Sequence, residues 1–189
     1  HLTTDNKCVW TRFHVDPQAS MRKAFTHEEY RQLINISKNW FRAKDINDIK
    51  ESSRGKEVFY RKMLHDFIHL LAWYGCRVGE LRNLRWNNVT IKADGGAVVE
   101  FTHTKTHRNR VCQAKNMGVV FNRIRDYATH QGEHDFVFSR YESNRREQCT
   151  RENLYNRFIQ LKDVVKLKHE NFDLKKVLYC FRHYFITLR

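Results

Sequence analysis

Hydrophobic positions recur at helical spacing along most of the chain. Over residues 56–74 apolar side chains return every three or four positions, and this broad stripe predicts a central core helix. Shorter stripes predict helices that begin near Thr26, Met117 and Thr150. The pattern returns over residues 178–189, where it predicts a last helix. The central stripe consists of Phe59, Met63, Leu64, Phe67, Ile68, Leu70, Leu71 and Tyr74.

The first helix has a strong start signal. Thr26 is a favourable N-cap residue, and Glu29 three residues later completes a capping box. Phe25 and Tyr30 flank this box at the positions of a hydrophobic staple. The polar residues 43–56, in contrast, predict a loop between this helix and the core helix.

The period of apolar residues changes from about 3.6 to about 2 after Trp86, which predicts strands in place of helices. Residues 89–92 and 97–104 are two such strands on either side of an Asp-Gly-Gly turn. A third strand is predicted over 111–113, after a basic turn at 105–110. The predicted fold class is therefore mainly α with a small three-stranded antiparallel sheet.

The composition is that of a folded domain. Of the 189 residues, 41% are hydrophobic and 13% aromatic, and a disordered chain has far fewer aromatic residues. Residues 1–22 lack a clear period and are predicted to be an arm or a linker remnant, so the domain spans residues 23–189. The last helical pattern has no C-cap signal, which predicts a domain that is incomplete at its C-terminus.

The charge indicates a polyanionic partner. The chain has 35 Lys and Arg against 21 Asp and Glu, a formal net charge of +14, and nucleic acid is the commonest partner of so basic a surface. A basic protein that is indifferent to DNA is the other interpretation of the charge alone. No run of 18 apolar residues is present, so no membrane partner is predicted.

The cysteines and histidines predict no metal site. Five Cys lie far apart without a Cys-x-x-Cys pair, and eleven His lack metal-ligand spacing. An odd number of scattered Cys argues against a secreted disulfide framework. Reduced thiols predict a cytoplasmic protein, associated with the nucleoid if its partner is DNA.

Residues 73–86 carry the first candidate site. Gly75 tolerates the positive φ of a helix-ending residue, and a short helix then places Arg77 and Glu80 about one turn apart. An arginine held by an acid at a helix junction is suited to a phosphate, because its planar fork bonds two oxygens at once. An arginine that only caps the helix or forms a salt bridge is the alternative interpretation.

Two more cationic sites lie at the edges of predicted elements. The basic turn between the second and third strands is an exposed hairpin tip, and such a tip is suited to probing a DNA groove. The last helix carries Arg182 and His183 in a run that is too aromatic for a freely exposed helix. Simple surface charge is the alternative for both sites. The tip residues predicted to bind DNA are Lys105, His107, Arg108 and Arg110.

Taken together and in order, these signals form a specific set. Residues 75–86 read Gly-x-Arg-x-x-Glu-x-x-x-Leu-x-Trp, residues 104–106 read Thr-Lys-Thr, and residues 182–187 read Arg-His-x-Phe-x-Thr. This set resembles the tyrosine recombinases, the phage integrase family, over about residues 22–189. The resemblance implies the fold of a tyrosine recombinase catalytic domain.

The resemblance also implies roles for individual residues. Arg77 and Arg182 match the two arginines that grip the scissile phosphate and stabilise its pentacovalent transition state. Lys105 matches the hairpin lysine that protonates the leaving 5′ oxygen and touches the minor groove. Glu80 matches a supporting acid near the first arginine, and His183 matches a histidine with a structural role.

Two features depart from the family pattern. The family usually has His three residues before the second arginine, and here that position is Tyr179, whose phenol is a poor proton shuttle near neutral pH. The family's nucleophilic Tyr lies some tens of residues beyond the second arginine, so Tyr179 and Tyr184 lie too early for this role. This chain is therefore expected to be inactive and monomeric in solution, whereas its parent forms a tetramer on DNA.

The function implied is site-specific DNA recombination or integration, as in phages and mobile elements, through a 3′-phosphotyrosyl intermediate. Duplex DNA is the implied partner, and no cofactor is implied. A non-catalytic DNA-binding remnant or regulator of a mobile element is the main alternative. A basic helical scaffold for acidic proteins is another, and it predicts that Arg77, Lys105 and Arg182 lie apart in space. A type IB topoisomerase fits the motif spacing less well.

Overall fold

The computed structural model describes residues 23–102, 109–142 and 146–187. These residues form helices around one long central helix, with a small sheet at one side. In chain order the elements are α1 (His27–Trp40), α2 (Glu51–Tyr74), α3 (Val78–Arg82), β1 (Val89–Ile91), β2 (Ala97–Phe101), β3 (Arg110–Ala114), α4 (Gly118–Tyr127), α5 (Arg151–Lys168) and α6 (Cys180–Thr187).

The central helix is α2, as the apolar stripe predicts. It packs against α1, α4, α5 and α6. Every apolar position of the predicted stripe is buried. A helix surrounded in this way needs apolar residues on most of its circumference, which accounts for the width of the stripe.

The start of α1 confirms the predicted capping box. The backbone N–H of Glu29 donates to Oγ1 of Thr26 at 3.1 Å, and the N–H of Thr26 donates to the Glu29 carboxylate at 2.7 Å. Phe25 and Tyr30 both pack against Phe181 of α6, with ring centroids 4.4 and 6.4 Å away. The two predicted staple residues thus pack the beginning of α1 against the last helix.

The predicted loop over residues 43–56 is partly wrong. A single 3₁₀ turn forms at Lys44–Ile46, and α2 begins at Glu51. The first turns of α2 project beyond the core, so they carry polar side chains and no apolar stripe. Arg54 stabilises this end by donating to the carbonyl oxygens of Asn47 and Ile49.

The sheet is antiparallel with the order β1–β2–β3. Val99 at its centre pairs with Val89 on one side and Cys112 on the other. Its inner face packs on the end of α2, where the hydroxyl of Tyr74 donates to the carbonyl of Ala97 at 3.0 Å. The three predicted strands are confirmed, and the tip between β2 and β3 lies at residues 103–108, outside the described residues.

The later helices also follow the sequence pattern. Thr150 caps α5, because its Oγ1 accepts the backbone N–H of Asn153 at 3.2 Å. The last helix, α6, begins at Cys180, two residues later than predicted, and packs on α2. The predicted fold class, mainly helical with a three-stranded antiparallel sheet, is confirmed.

Candidate active site

The site begins where α2 ends. Gly75 has φ 57°, and its N–H donates to the carbonyl of Leu71 at 3.0 Å, which closes the helix. Glycine adopts this left-handed conformation without the steric penalty of a side chain. The chain then reverses into α3, whose N-cap position is Arg77. The first predicted catalytic arginine is thus held at a sharp junction between two helices.

Glu80 is the centre of the site. Its side chain is only 4% exposed. One carboxylate oxygen, Oε1, accepts Nη1 of Arg77 at 2.8 Å. The other, Oε2, accepts the backbone N–H of Arg77 and Nη2 of Arg110, both at 2.9 Å. A carboxylate bonded on both oxygens holds Arg77 in one orientation.

The second predicted arginine reaches the same place from α6. Nη1 of Arg182 donates to the carbonyl oxygen of Gly75 at 3.1 Å and lies 4.0 Å from Oε2 of Glu80. The side chain is 12% exposed. Its burial, followed by the charges of Arg77 and Arg110, lowers the pKa of Arg182 from its ordinary value. A further negative group beside it would relieve this repulsion.

The local charge therefore favours an anion. Arg77, Arg110 and Arg182 surround the one carboxylate of Glu80, which leaves an excess of positive charge. Arg77 is the most open of the three, with 33% of its side chain exposed.

Tyr179 and His183 stand at the edge of this cluster. Their rings meet edge to face with centroids 5.2 Å apart, and both side chains are half-buried. The phenol of Tyr179 is close enough to Arg182 to influence its charge state. The residue at the position of the usual histidine thus lies near the second arginine.

The other predicted site residues divide into two groups. Lys105, His107 and Arg108 lie outside the described residues, so their DNA-binding roles stay predictions. Arg110, which the sequence analysis grouped with them, lies against Glu80. The sequence contains no signal for this contact, because the two residues are 30 positions apart on different elements. The convergence of Arg77 and Arg182 contradicts the separation that the scaffold hypothesis predicts for these two.

Cys76 is a buried thiol beside the first predicted arginine. It lies directly before Arg77 and is fully buried, and this burial raises its pKa. A thiol that stays protonated is a weak nucleophile. Its contribution to the site is packing.

A second polar cluster lies in a cleft of about 380 Å³ between α1, α2 and α4. Asp66 is 1% exposed and accepts Nε of Arg123 at 2.7 Å and the hydroxyl of Tyr127 at 2.9 Å. On the preceding residue, Nδ1 of His65 lies 2.7 Å from Oγ of Ser37. Sequence reasoning missed this cluster, because its members occupy single polar positions within apolar stripes.

The described residues contain neither a metal-ligand cluster nor a helix able to span a membrane. In residues 23–102, 109–142 and 146–187, no three His, Cys, Asp or Glu side chains are arranged to hold a metal ion. Within the same ranges no helix combines the length and the apolar character needed to cross a bilayer.

Solved structures share the fold. The XerH site-specific recombinase bound to difH substrate has 17% identity and a TM-score of 0.58, and the match covers 88% of this chain and 42% of that one. XerA recombinase has 19% identity and a TM-score of 0.54, with 91% and 50% covered. The Tn1549 transposon integrase in complex with circular intermediate DNA has 15% identity and a TM-score of 0.56, with 92% and 54% covered. The chain thus spans about half the length of these proteins.

Sequence comparison identifies the family. No curated protein matches the chain significantly. The model of the Phage integrase family matches residues 23–187, which is nearly the whole of the described chain. With its helices around α2, its small sheet and its paired arginines, the chain belongs to the phage integrase family and has the catalytic-domain fold of the tyrosine recombinases.

Proposed function

We propose that this chain is the catalytic domain of a site-specific DNA recombinase that cleaves and rejoins strands through a 3′-phosphotyrosyl intermediate. One observation carries the proposal: Arg77 and Arg182 converge on the buried carboxylate of Glu80. Supporting it, the similar XerH recombinase is bound to difH substrate, and the similar Tn1549 integrase is in complex with circular intermediate DNA. The substrate class is duplex DNA, and the function is recombination or integration of a phage or another mobile element.

The two arginines act on the scissile phosphate. Arg77 presents its guanidinium at the open side of the cluster, and Arg182 approaches from α6. Together they bind the non-bridging oxygens and stabilise the charge that develops in the pentacovalent transition state. Because Glu80 fixes Arg77 before DNA arrives, little reorganisation is needed during the reaction. Removal of one preorganised donor of this kind lowers the rate by about 10²–10³-fold.

Residues other than the two arginines are assigned to proton transfer and to hydrogen bonding of the phosphate. Lys105, on the β2–β3 hairpin, is assigned to protonate the leaving 5′ oxygen. Tyr179 is assigned to donate a hydrogen bond to the phosphate in place of the usual histidine. A phenol is a poor proton shuttle, so the role assigned to Tyr179 is to orient the phosphate and not to transfer protons.

Tyr184 is not assigned as the nucleophile of the covalent step. Tyr184 is buried, and its hydroxyl lies 3.0 Å from Nδ1 of His27. The family resemblance places the nucleophile some tens of residues after the second arginine. Tetramer formation on DNA belongs, in the same way, to the full-length protein.

The first test measures DNA binding by this chain. We expect the affinity for duplex DNA to fall steeply between about 50 and about 200 mM salt, because phosphate contacts release counterions. Arg77→Ala should weaken binding and reduce the slope of log K against log salt by about 1. Arg31→Ala, at an exposed position of α1, is the matched control. No binding at low salt, or equal effects of both variants, would contradict the proposal.

A non-catalytic DNA-binding remnant is the second candidate, and the Tyr in place of the usual His at 179 favours it. The discriminating experiment uses the protein extended along its own reading frame. A recombinase forms a covalent protein–DNA adduct on a nicked duplex that carries its target site. A remnant binds the same duplex with the same salt dependence and forms no adduct.

A further inference from the structure

Arg110 occupies an unexpected place in the site. It is the first residue of β3 and pairs with Phe101 across the base of the β2–β3 hairpin. Its guanidinium carbon lies 5.0 Å from the centre of the Phe101 ring, and its Nη2 donates to Oε2 of Glu80 at 2.9 Å. Only 21% of the side chain is exposed. These contacts turn Arg110 toward Glu80 and restrict its reach into a DNA groove.

The two oxygens of Glu80 have different partners. Oε1 accepts the side chain of Arg77, and Oε2 accepts the side chain of Arg110. With a cation on each oxygen, the carboxylate cannot rotate without breaking a charge-assisted hydrogen bond. Arg110 therefore fixes the plane of Glu80, and Glu80 fixes Arg77.

Arg110 also competes with Arg182 for the same atom. Nη1 of Arg182 lies 4.0 Å from Oε2 of Glu80, just beyond hydrogen-bond distance. That oxygen already accepts two N–H groups, one from the Arg77 backbone and one from Arg110. If Arg110 were absent, Arg182 would be the nearest cation able to replace it. Arg182 would then be drawn into a salt bridge and away from the phosphate.

We propose that Arg110 is a positioning residue: it saturates Glu80, which orients Arg77 and leaves Arg182 available for the scissile phosphate. It also links the base of the hairpin to the phosphate site. Lys105 lies five positions before Arg110 in the same hairpin. This inference rests on the proposed recombinase function.

A direct contact between Arg110 and DNA is the competing interpretation. The two roles differ in what they change. A phosphate contact adds to DNA affinity and to its salt dependence, because a counterion is released. A guanidinium already neutralised by Glu80 adds little to either. A positioning role instead affects the rate of cleavage at saturating DNA, because a small displacement of catalytic groups can lower the rate about 100-fold.

The experiment compares three variants in the full-length recombinase and in the 189-residue chain. Arg110→Gln removes the charge, and Arg110→Lys restores one charged donor. Arg140→Gln removes a surface arginine from its ion pair with Glu147 and is the matched control. Single-turnover adduct formation on a nicked duplex gives the rate, and a salt titration of DNA binding gives the affinity and slope.

We expect Arg110→Gln to lower the single-turnover rate by about 10- to 100-fold while DNA affinity changes less than about threefold. Arg110→Lys should recover part of the rate, and Arg140→Gln should match the wild type. An unchanged rate would overturn the proposal. A loss of affinity and salt slope equal to that of Arg77→Ala would also overturn it, in favour of direct DNA contact.

A second readout needs no catalysis and separates this inference from the proposed function. In the ¹⁵N-labelled chain, the Nε–H signals of Arg77 and Arg182 report how each guanidinium is held. We expect Arg110→Gln to shift both signals, with Arg110→Lys returning that of Arg77 toward its wild-type position. If the Nε–H signals shift but the full-length protein forms no covalent adduct with DNA, the positioning role is upheld and the proposed recombinase function is refuted. Unchanged signals would refute the positioning role. If Arg110→Gln unfolds, Arg110→Lys takes its place in the test. An unshifted Arg182 signal in Arg110→Lys would then refute the positioning role.

Discussion

The ring of Phe185 lies where a side chain on Gly75 would have to go. A β-carbon built at Gly75 would stand 2.2 Å from Cδ1 of Phe185, far inside van der Waals contact. Gly75 also has a positive φ of 57°, which L-residues with a side chain rarely adopt. The helix that carries Arg182 can therefore pack closely against the junction that carries Arg77, because Gly75 has no side chain.

Gly75→Ala is expected to lower the free energy of unfolding by about 2–4 kcal/mol, through backbone strain and overpacking together. Urea denaturation measures the change. Gly79→Ala is the matched control, because a β-carbon there meets nothing within 4 Å and the position is helical. It should leave stability unchanged or raise it by up to about 1 kcal/mol. Equal effects of the two substitutions would show that Phe185 and Gly75 are not in close contact.

Glu80→Gln should destabilise the domain by about 1–3 kcal/mol, because the amide keeps one acceptor oxygen and its NH2 group cannot accept a hydrogen bond from the other arginine. The same change should raise low-salt DNA affinity, since the cluster gains a net positive charge. Denaturation and a DNA titration at two salt concentrations measure the two effects. Asp94→Asn, at the exposed turn before β2, controls for the loss of a negative charge elsewhere. A weaker affinity at low salt would contradict the assignment of Glu80 as the counter-charge of the phosphate site.

The domain should lose stability when acidified below about pH 6.5. Burial lowers the pKa of His65 to about 3 and that of His69 to about 4. Since both values lie below that of an unfolded histidine, the unfolded state binds more protons between about pH 3 and 6.5. The free energy of unfolding therefore rises with pH in this window and falls on acidification. For His65 the loss is about 2 kcal/mol by pH 5.

Urea denaturation at a series of pH values measures this slope. His65→Asn removes one of the two imidazole contributions and should flatten the dependence between about pH 7 and 5; Asp66, whose pKa burial raises to about 6, acts in the opposite direction there. Above pH 7 both imidazoles are neutral in the folded and unfolded states, so the slope from them should vanish there. An unaltered slope in His65→Asn would assign the acid sensitivity to other groups.

Arg123→Met should destabilise the domain by about 3 kcal/mol, because it leaves the carboxylate of Asp66 buried without its cation. This loss in the free energy of unfolding lies at the lower end of the range for breaking buried ion pairs, because the Arg123 side chain is 41% exposed. Arg140→Gln, which breaks a surface ion pair with Glu147, should change stability by less than about 1 kcal/mol. If Asp66→Asn combined with Arg123→Met recovers none of the loss, the ion pair is not its cause.

Local sequence signals predicted most of the fold. The capping box at Thr26, the wide stripe of α2 and the change of period after Trp86 are all encoded within a few neighbouring residues. The early start of α2 escaped prediction, because its first turns extend past the core and need no apolar residues. A helix without a buried face there gives no periodic signal.

The candidate site was predictable only in part. Arg77 and Glu80 are three positions apart, so helical geometry alone brings them together. The place of Arg110 on Glu80 depends on how the sheet packs against α3, which no local pattern records. The pairing of Asp66 with Arg123 spans 57 positions for the same reason. Contacts of this kind follow from the assembled fold.

The hydrogen bond from Arg182 to the carbonyl of Gly75 joins residues 107 positions apart. The half of the site around Arg77 leaves the ribosome long before α6 is synthesised. Until α6 docks, Glu80 can bind Arg77 and Arg110, but the cluster lacks the guanidinium of Arg182. The arginine cluster is therefore completed only when α6 packs on the rest of the domain.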